Sequence, residues 1–143
     1  MAIKTITMAT LRAVAVMRLI SIADTFTAHL VKLKLIPQSR DVDHWRKEIA
    51  AYLVRAQRLT YLKAGKRMKL KDLESSLFYI DIPRTIESVV LDVCEDYDIP
   101  RMATTQSVLD YAVRIYETLG PLILEDRIRT KDDWYKVVRE LTK

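Results

Sequence analysis

The chain has 143 residues, half of them hydrophobic, enough for one buried core, so wholesale disorder is not expected. Two glycines and four prolines are too few for a turn-rich fold or a phosphate-cradling glycine loop. The single cysteine, Cys94, forbids an intramolecular disulfide and a cysteine zinc site.

The net charge of +5 is unevenly spread: residues 1–71 hold 15 Lys/Arg against four acids, and residues 72–143 hold nine against 15. That split predicts one face turned to a polyanion and another to solvent or partners. Asparagine is absent and only Gln38, Gln57 and Gln106 represent glutamine, a depletion of heat-labile residues seen in thermophiles.

The first 35 or so residues lack glycine and proline and end at Pro37, which predicts one long helix with Ile36 forced out of helical geometry. Such a helix would reach about 50 Å at its rise per residue. That is long for a globule of this size, so part of it is expected to project as an arm. Arg12, Arg18 and Asp24 break the apolar run, so no transmembrane segment is expected. The run has no secretory cleavage site, although residues 1–23 share the basic, hydroxyl-rich composition of an organellar transit peptide. On a helical wheel Lys4, Arg18, His29 and Lys32 fall within about 80° of one another, with Thr7 and Thr25 on the same stripe. Cations and hydroxyls in a row suit phosphate oxygens.

Asp41 or Asp43 can cap a second helix running from His44 towards Ala64 and stopping at Gly65. Its apolar side is Trp45, Ile49, Tyr52, Leu53, Ala56 and Leu59, and Arg40, Lys47, Arg55 and Arg58 lie on the other side. Then come Lys63, Lys66, Arg67, Lys69 and Lys71, five cations in nine residues without an acid. Like charges so close repel unless a counter-charge is near, and phosphates neutralised by them would release counterions.

A third helix is predicted over Met68–Tyr79, and Asp81-Ile82-Pro83 ends it and starts a fourth, with Ile86, Val89, Val90 and Val93 buried and Pro100 closing the segment. Val108, Tyr111, Ala112, Ile115 and Leu119 mark a fifth, stopped by Gly120-Pro121. Thr130 with Asp133 opens a sixth holding Trp134, Val137, Val138 and Leu141. The expected fold is all-α: a long basic N-terminal helical arm, residues 1–37, followed by a compact multi-helix bundle, residues 38–143, basic through 71 and acidic from 72.

Catalytic signals are sparse. Asp92, Glu95, Asp96 and Asp98 lie at helical steps without a Glu-x-x-His or calcium-loop pattern, which reads as a solvated acidic helix end. No nucleophile elbow and no GxGxxG or GxxxxGK[ST] occurs, so neither an enzyme nor a cofactor is expected. Cys94, among Val90, Leu91 and Val93, reads as a buried small apolar residue. The seven tyrosines are spaced for helix packing and are read as core, although Tyr52 and Tyr61 beside arginines could stack on sugar or base.

With its long basic N-terminal helix and acidic helical body, the chain resembles the small all-helical major coat proteins of filamentous viruses of hyperthermophilic archaea. The resemblance spans the whole chain and rests on architecture, with no diagnostic motif. It implies a structural subunit that wraps double-stranded DNA regardless of sequence, pairs with a copy of itself or a homologous sister subunit, and stacks into a helical filament within a virion. Carried over by position, Lys4, Arg12, Arg18, Lys32, Lys34, Arg40 and the 63–71 run would contact phosphates. The chain departs from the most basic members in having few arginines among its first ten residues. The alternative is a small helical RNA- or DNA-binding adaptor of a larger complex, or a helical regulator docking on an acidic partner, in the cytoplasm.

Overall fold

The computed structural model describes residues 7–63, 65–69, 71, 82–99, 104–125 and 127–143. Among these, five helices and one short hairpin follow in chain order: α1 (Met8–Leu35), α2 (Val42–Leu59), β1 (Tyr61–Lys63), β2 (Lys66–Arg67), α3 (Ile82–Asp96), α4 (Thr104–Ile123) and α5 (Lys131–Leu141). The helical class read from the sequence holds. The helix expected over Met68–Tyr79 falls mostly outside the described residues.

Helix α1 starts where the Thr7 hydroxyl accepts from the Thr10 N–H at 3.1 Å. It ends where Pro37 displaces Ile36 (φ −131°, ψ 58°), whose N–H still donates to the Lys32 carbonyl at 2.8 Å. Lys32 and Lys34 in the last turn oppose the negative end of the helix dipole. Its 28 residues span about 42 Å at the α-helical rise. Ala15, Leu19, Phe26 and Leu30 form its buried stripe, widened near the C-terminus by Thr27, Val31 and Leu33. Along its length α1 packs against α2, α3, α4 and β1. Its buried side chains belong to the same apolar core as Trp45, Ile86, Ile115 and Val138, so the core crosses the 37/38 boundary drawn from the sequence.

By length and composition α1 is also apolar enough to cross a membrane, and 38% of its most apolar window is buried inside the fold. That apolarity leaves Val14, Met17 and Ile20 exposed on the side away from the core.

Helix α2 opens at Val42 with Asp43 in its first turn, and no side-chain cap bond forms at Asp41. It buries Trp45, Ile49, Ala50, Leu53, Ala56 and Gln57. It stops at Leu59 and not at Gly65 as the sequence suggests. The Thr60 hydroxyl turns back to the Gln57 carbonyl at 2.6 Å, and the chain then pairs with itself. Gly65, at φ +78°, supplies the left-handed residue of that hairpin, and the Met68 N–H reaches the Thr60 carbonyl at 2.8 Å. This small antiparallel ribbon corrects the expectation of a structure without strands.

Helix α3 starts with Pro83 in its first turn and buries Ile86, Val90, Val93 and Cys94. The reading of Cys94 as a packed apolar residue is borne out by its burial. Asp98, at φ +55°, reverses the chain behind α3, where the Tyr97 and Ile99 N–H groups bond back to Val93 and Cys94. Helix α4 buries Val108, Tyr111, Ala112, Ile115 and Leu119 as the pattern requires, yet runs through Gly120-Pro121 to Ile123. Pro121 lacks the N–H that would close on the Glu117 carbonyl, and only two helical residues follow it.

The carbonyls at that end are met by side chains from α2 and the hairpin. The Gln57 amide nitrogen lies 3.3, 3.2 and 2.6 Å from the carbonyls of Ile123, Glu125 and Ile128, and its oxygen receives the Trp134 indole N–H at 3.4 Å. Helix α5 begins with the Thr130/Asp133 capping box and drives Trp134 and Val138 into α2.

Candidate nucleic-acid interface

Ring contacts order the two basic helices. His29 stacks on Tyr52 with centroids 6.0 Å apart, and the Lys32 amine sits 5.9 Å from the Trp45 ring. Residue numbers rise on α1 as they fall on α2, so the helices are antiparallel. The later part of α2 therefore faces the earlier part of α1.

There an open cleft of about 490 Å³ is lined by Arg18, Ser21 and Ile22 from α1 and by Arg55, Arg58 and Leu59 from α2. Each helix contributes positions i, i+3 and i+4, the spacing that puts three side chains on one face. Ile22 and Leu59 give the cleft an apolar wall. Three arginines and a serine make up the rest of the lining, and among the described residues it holds no carboxylate. Arg18, Arg55 and Arg58 are all exposed. Planar guanidinium forks match phosphate oxygens in pairs, and a concave surface of one charge concentrates the field at its mouth.

The hairpin follows α2 directly and packs against both α1 and α2. It folds the basic run onto itself, so that Lys63 lies opposite Lys66 in the register. Both lysines are exposed. Like charges directly opposite in a ribbon are destabilising by roughly 0.2–1 kcal/mol, a cost that a bound anion would remove. Lys69 and Lys71, just beyond, are also exposed.

Arg67 behaves differently. Its Nε donates to the Thr60 hydroxyl at 3.1 Å, and its terminal nitrogens donate to the carbonyls of Leu124 and Ile123, each at 2.8 Å. That guanidinium closes the end of α4, so the run offers a phosphate fewer forks than its composition suggests.

The other predicted contacts are dispersed. Arg12 is exposed on the first turns of α1, and Arg40 is exposed in the turn before α2. Lys34 is exposed, with its amine 5.4 Å from the Tyr111 ring centre at the far end of α1. Lys47 pairs with Asp43 at 3.1 Å, and Asp43 also accepts from the Tyr135 hydroxyl. The Tyr135 bond first, and Lys47 second, hold the Asp43 carboxyl below its ordinary range. The imidazole of His29 is half-buried and its Nδ1 has no hydrogen-bond partner among the described residues. Burial, and then the Lys32 charge, lower its pKa, so it stays neutral near pH 7 and brings no charge to a phosphate. Lys4 lies outside the described residues. The wheel stripe thus divides: Arg18 opens into the cleft, whereas His29 and Lys32 are half-covered by α2 aromatics.

The sequence missed the place of Ser21 and, although it offered Tyr61 as a possible stacking ring, the exposure of Tyr61. Ser21 joins the cleft through i, i+3 spacing from Arg18, a relation the wheel could have given. Tyr61, read as core, is 52% exposed; its neighbourhood of Thr60, Leu62 and Gly65 was the available hint of a ribbon. The exposed acidic residues Asp92, Glu95, Asp96 and Asp98 stand at the end of α3, and among the described residues no three acids, histidines or cysteines converge on one point.

No protein-family model, no curated protein and no solved structure matches the chain.

Proposed function

We propose that this chain is a non-enzymatic structural protein that binds nucleic acid through its sugar–phosphate backbone, without regard to sequence, as a coat subunit of a nucleoprotein filament. The observation that carries the reading is the cleft between α1 and α2, which Arg18, Arg55 and Arg58 line beside Ser21, with no acid among the described lining residues. Three converging guanidinium groups repel one another, and a chain of phosphates relieves that repulsion along its length. The like-charged pair Lys63–Lys66 extends the same demand for an anion onto the adjoining hairpin. Both duplex and single strands present such a backbone, and contacts to it carry no sequence information.

A coat subunit must also meet its neighbours. Val14, Met17 and Ile20, exposed on one side of α1, support that part of the reading as the surface on which a second copy would pack.

The experiment is imaging of the purified protein with and without long DNA, paired with binding to several unrelated sequences. Regular rods that need DNA, and equal affinities across sequences, are the expected outcome. Discrete particles with preference for one sequence would replace the coat reading with that of a regulator.

A further inference from the structure

Tyr61 is the one tyrosine of the basic region that the fold leaves more than half exposed, at 52%. Its partner across the hairpin register is Arg67, whose guanidinium carbon lies 4.3 Å from the ring centre. The N–H groups of a guanidinium all lie in its plane. Here those in-plane donors point to Thr60, Leu124 and Ile123, so what Arg67 offers Tyr61 is a flat face. The ring is held by a cation that is itself held at three acceptors. Ordering it therefore costs entropy during folding and not during binding. Lys63, two residues along β1, is exposed like Tyr61, and beyond a shift in the register Lys66 lies opposite it. Tyr61 follows Arg58 by three positions, a reach of at most about 11 Å, so the hairpin continues the arginine cleft.

We propose that the Tyr61–Arg67 hairpin is a stacking platform for single-stranded nucleic acid: an unpaired base lies on Tyr61, and Lys63 and Lys66 take the adjoining phosphates. The proposal rests on the backbone-binding reading of the arginine cleft and narrows its ligand, because a base inside a duplex has no free face to stack. Arg67 beneath the ring adds a cation–π contact to the stack. Stacking is indifferent to base identity, in keeping with binding that ignores sequence.

The test uses the full chain and three labelled probes of equal length at one salt concentration: a thymidine homopolymer, its abasic counterpart and a random duplex. The wild-type protein should hold the thymidine strand more tightly than the abasic one. Tyr61→Ala should weaken the thymidine strand by about tenfold or more and leave the abasic strand and duplex within about twofold. Tyr61→Phe should restore thymidine binding. Tyr61→Trp guards against a folding defect in the alanine variant, since its indole fluorescence should be quenched by the thymidine strand and not by the abasic one. Equal wild-type affinity for the thymidine and abasic strands would overturn the platform while leaving the backbone reading intact. So would an unquenched tryptophan, or a proportional loss on all three probes in Tyr61→Ala. If the wild-type chain binds none of the probes, the backbone reading fails first and the platform with it.

Discussion

Replacing Arg67 with methionine separates the two jobs a cation can do in this fold. The substitution keeps an unbranched apolar stem and removes the donors to the Thr60 hydroxyl and to the carbonyls of Leu124 and Ile123. Thr60 retains its bond to the Gln57 carbonyl, and the Ile123 carbonyl retains Gln57 at 3.3 Å. The Leu124 carbonyl loses the guanidinium it accepts from at 2.8 Å, and the stacked face against Tyr61 goes as well. Two weakened acceptors and one stripped acceptor, each bonded to a charged donor, amount to about 2–4 kcal/mol of lost stability. For a domain of this size that corresponds to a fall in Tm of roughly 6–16 °C. Urea or thermal unfolding read by fluorescence of Trp45 and Trp134, both buried, measures it directly. Below the transition, the slope of log affinity against log salt on duplex DNA should match that of the wild type, because Arg67 makes no phosphate contact there. An Arg67→Met protein as stable as wild type, with a shallower salt slope, would refute the assignment of this guanidinium to the end of α4.

Further expectations concern charge, capping and pH. The combined reversal Arg58→Glu, Lys66→Glu and Lys69→Glu should weaken binding to all sequences alike and flatten its salt dependence, checked by anisotropy titrations at several salt concentrations. Thr130→Ala removes the hydroxyl that accepts from the Asp133 N–H while the backbone N–H of residue 130 can still donate to the Asp133 carboxylate, and should cost about 1 kcal/mol in urea unfolding. His29 has its pKa lowered by burial, so its contribution to stability is fully present above the ordinary value of 6.5 and is lost as the pH falls through that value towards the lowered one. Urea midpoints should therefore drop as the pH falls through 6.5 and below, and His29→Gln should flatten that drop. The carboxyl of Asp43, depressed by Tyr135 and Lys47, contributes above the ordinary carboxylate range and loses that contribution as the pH falls below it. Acid titration of Asp43→Asn should accordingly show a weaker pH dependence in that range.

Much of the helical frame was legible because its signals are local. Pro37 fixes the end of α1, α3 opens at Ile82-Pro83 where the proline signal places it, and Thr130 with Asp133 fixes the start of α5 through the bonds they make with each other. The misjudged boundaries depend on partners far along the chain. Arg67 and Gln57 reach carbonyls between 123 and 128, and only their arrival lets α4 run past Gly120-Pro121 with its end satisfied. The stop of α2 at Leu59 rests on Thr60, whose hydroxyl bonds backwards while its carbonyl accepts from Met68 across the hairpin. A helical period read through Ala56 and Leu59 cannot register that closure.

The site divides in the same way. Arg18, Arg55 and Arg58 each read as exposed cations on a wheel, but their convergence needs the antiparallel register of α1 and α2. Nor does the wheel tell Arg18, at the cleft, from His29, which α2 half-covers with Tyr52. The charge count treats Lys66 and Arg67 alike, although one is exposed and the other is bound to carbonyls.

Neutralising the cleft is the most direct measurement. Arg18→Gln, Arg55→Gln and Arg58→Gln together should leave the unfolding midpoint nearly unchanged, since all three side chains are exposed. The slope of log affinity against log salt for a random-sequence oligonucleotide should become shallower by about 2–3, at about 0.7–0.9 for each phosphate that an arginine no longer neutralises. A triple variant that folds, binds as tightly as wild type and keeps the full salt slope would contradict a backbone-binding role for the cleft between α1 and α2.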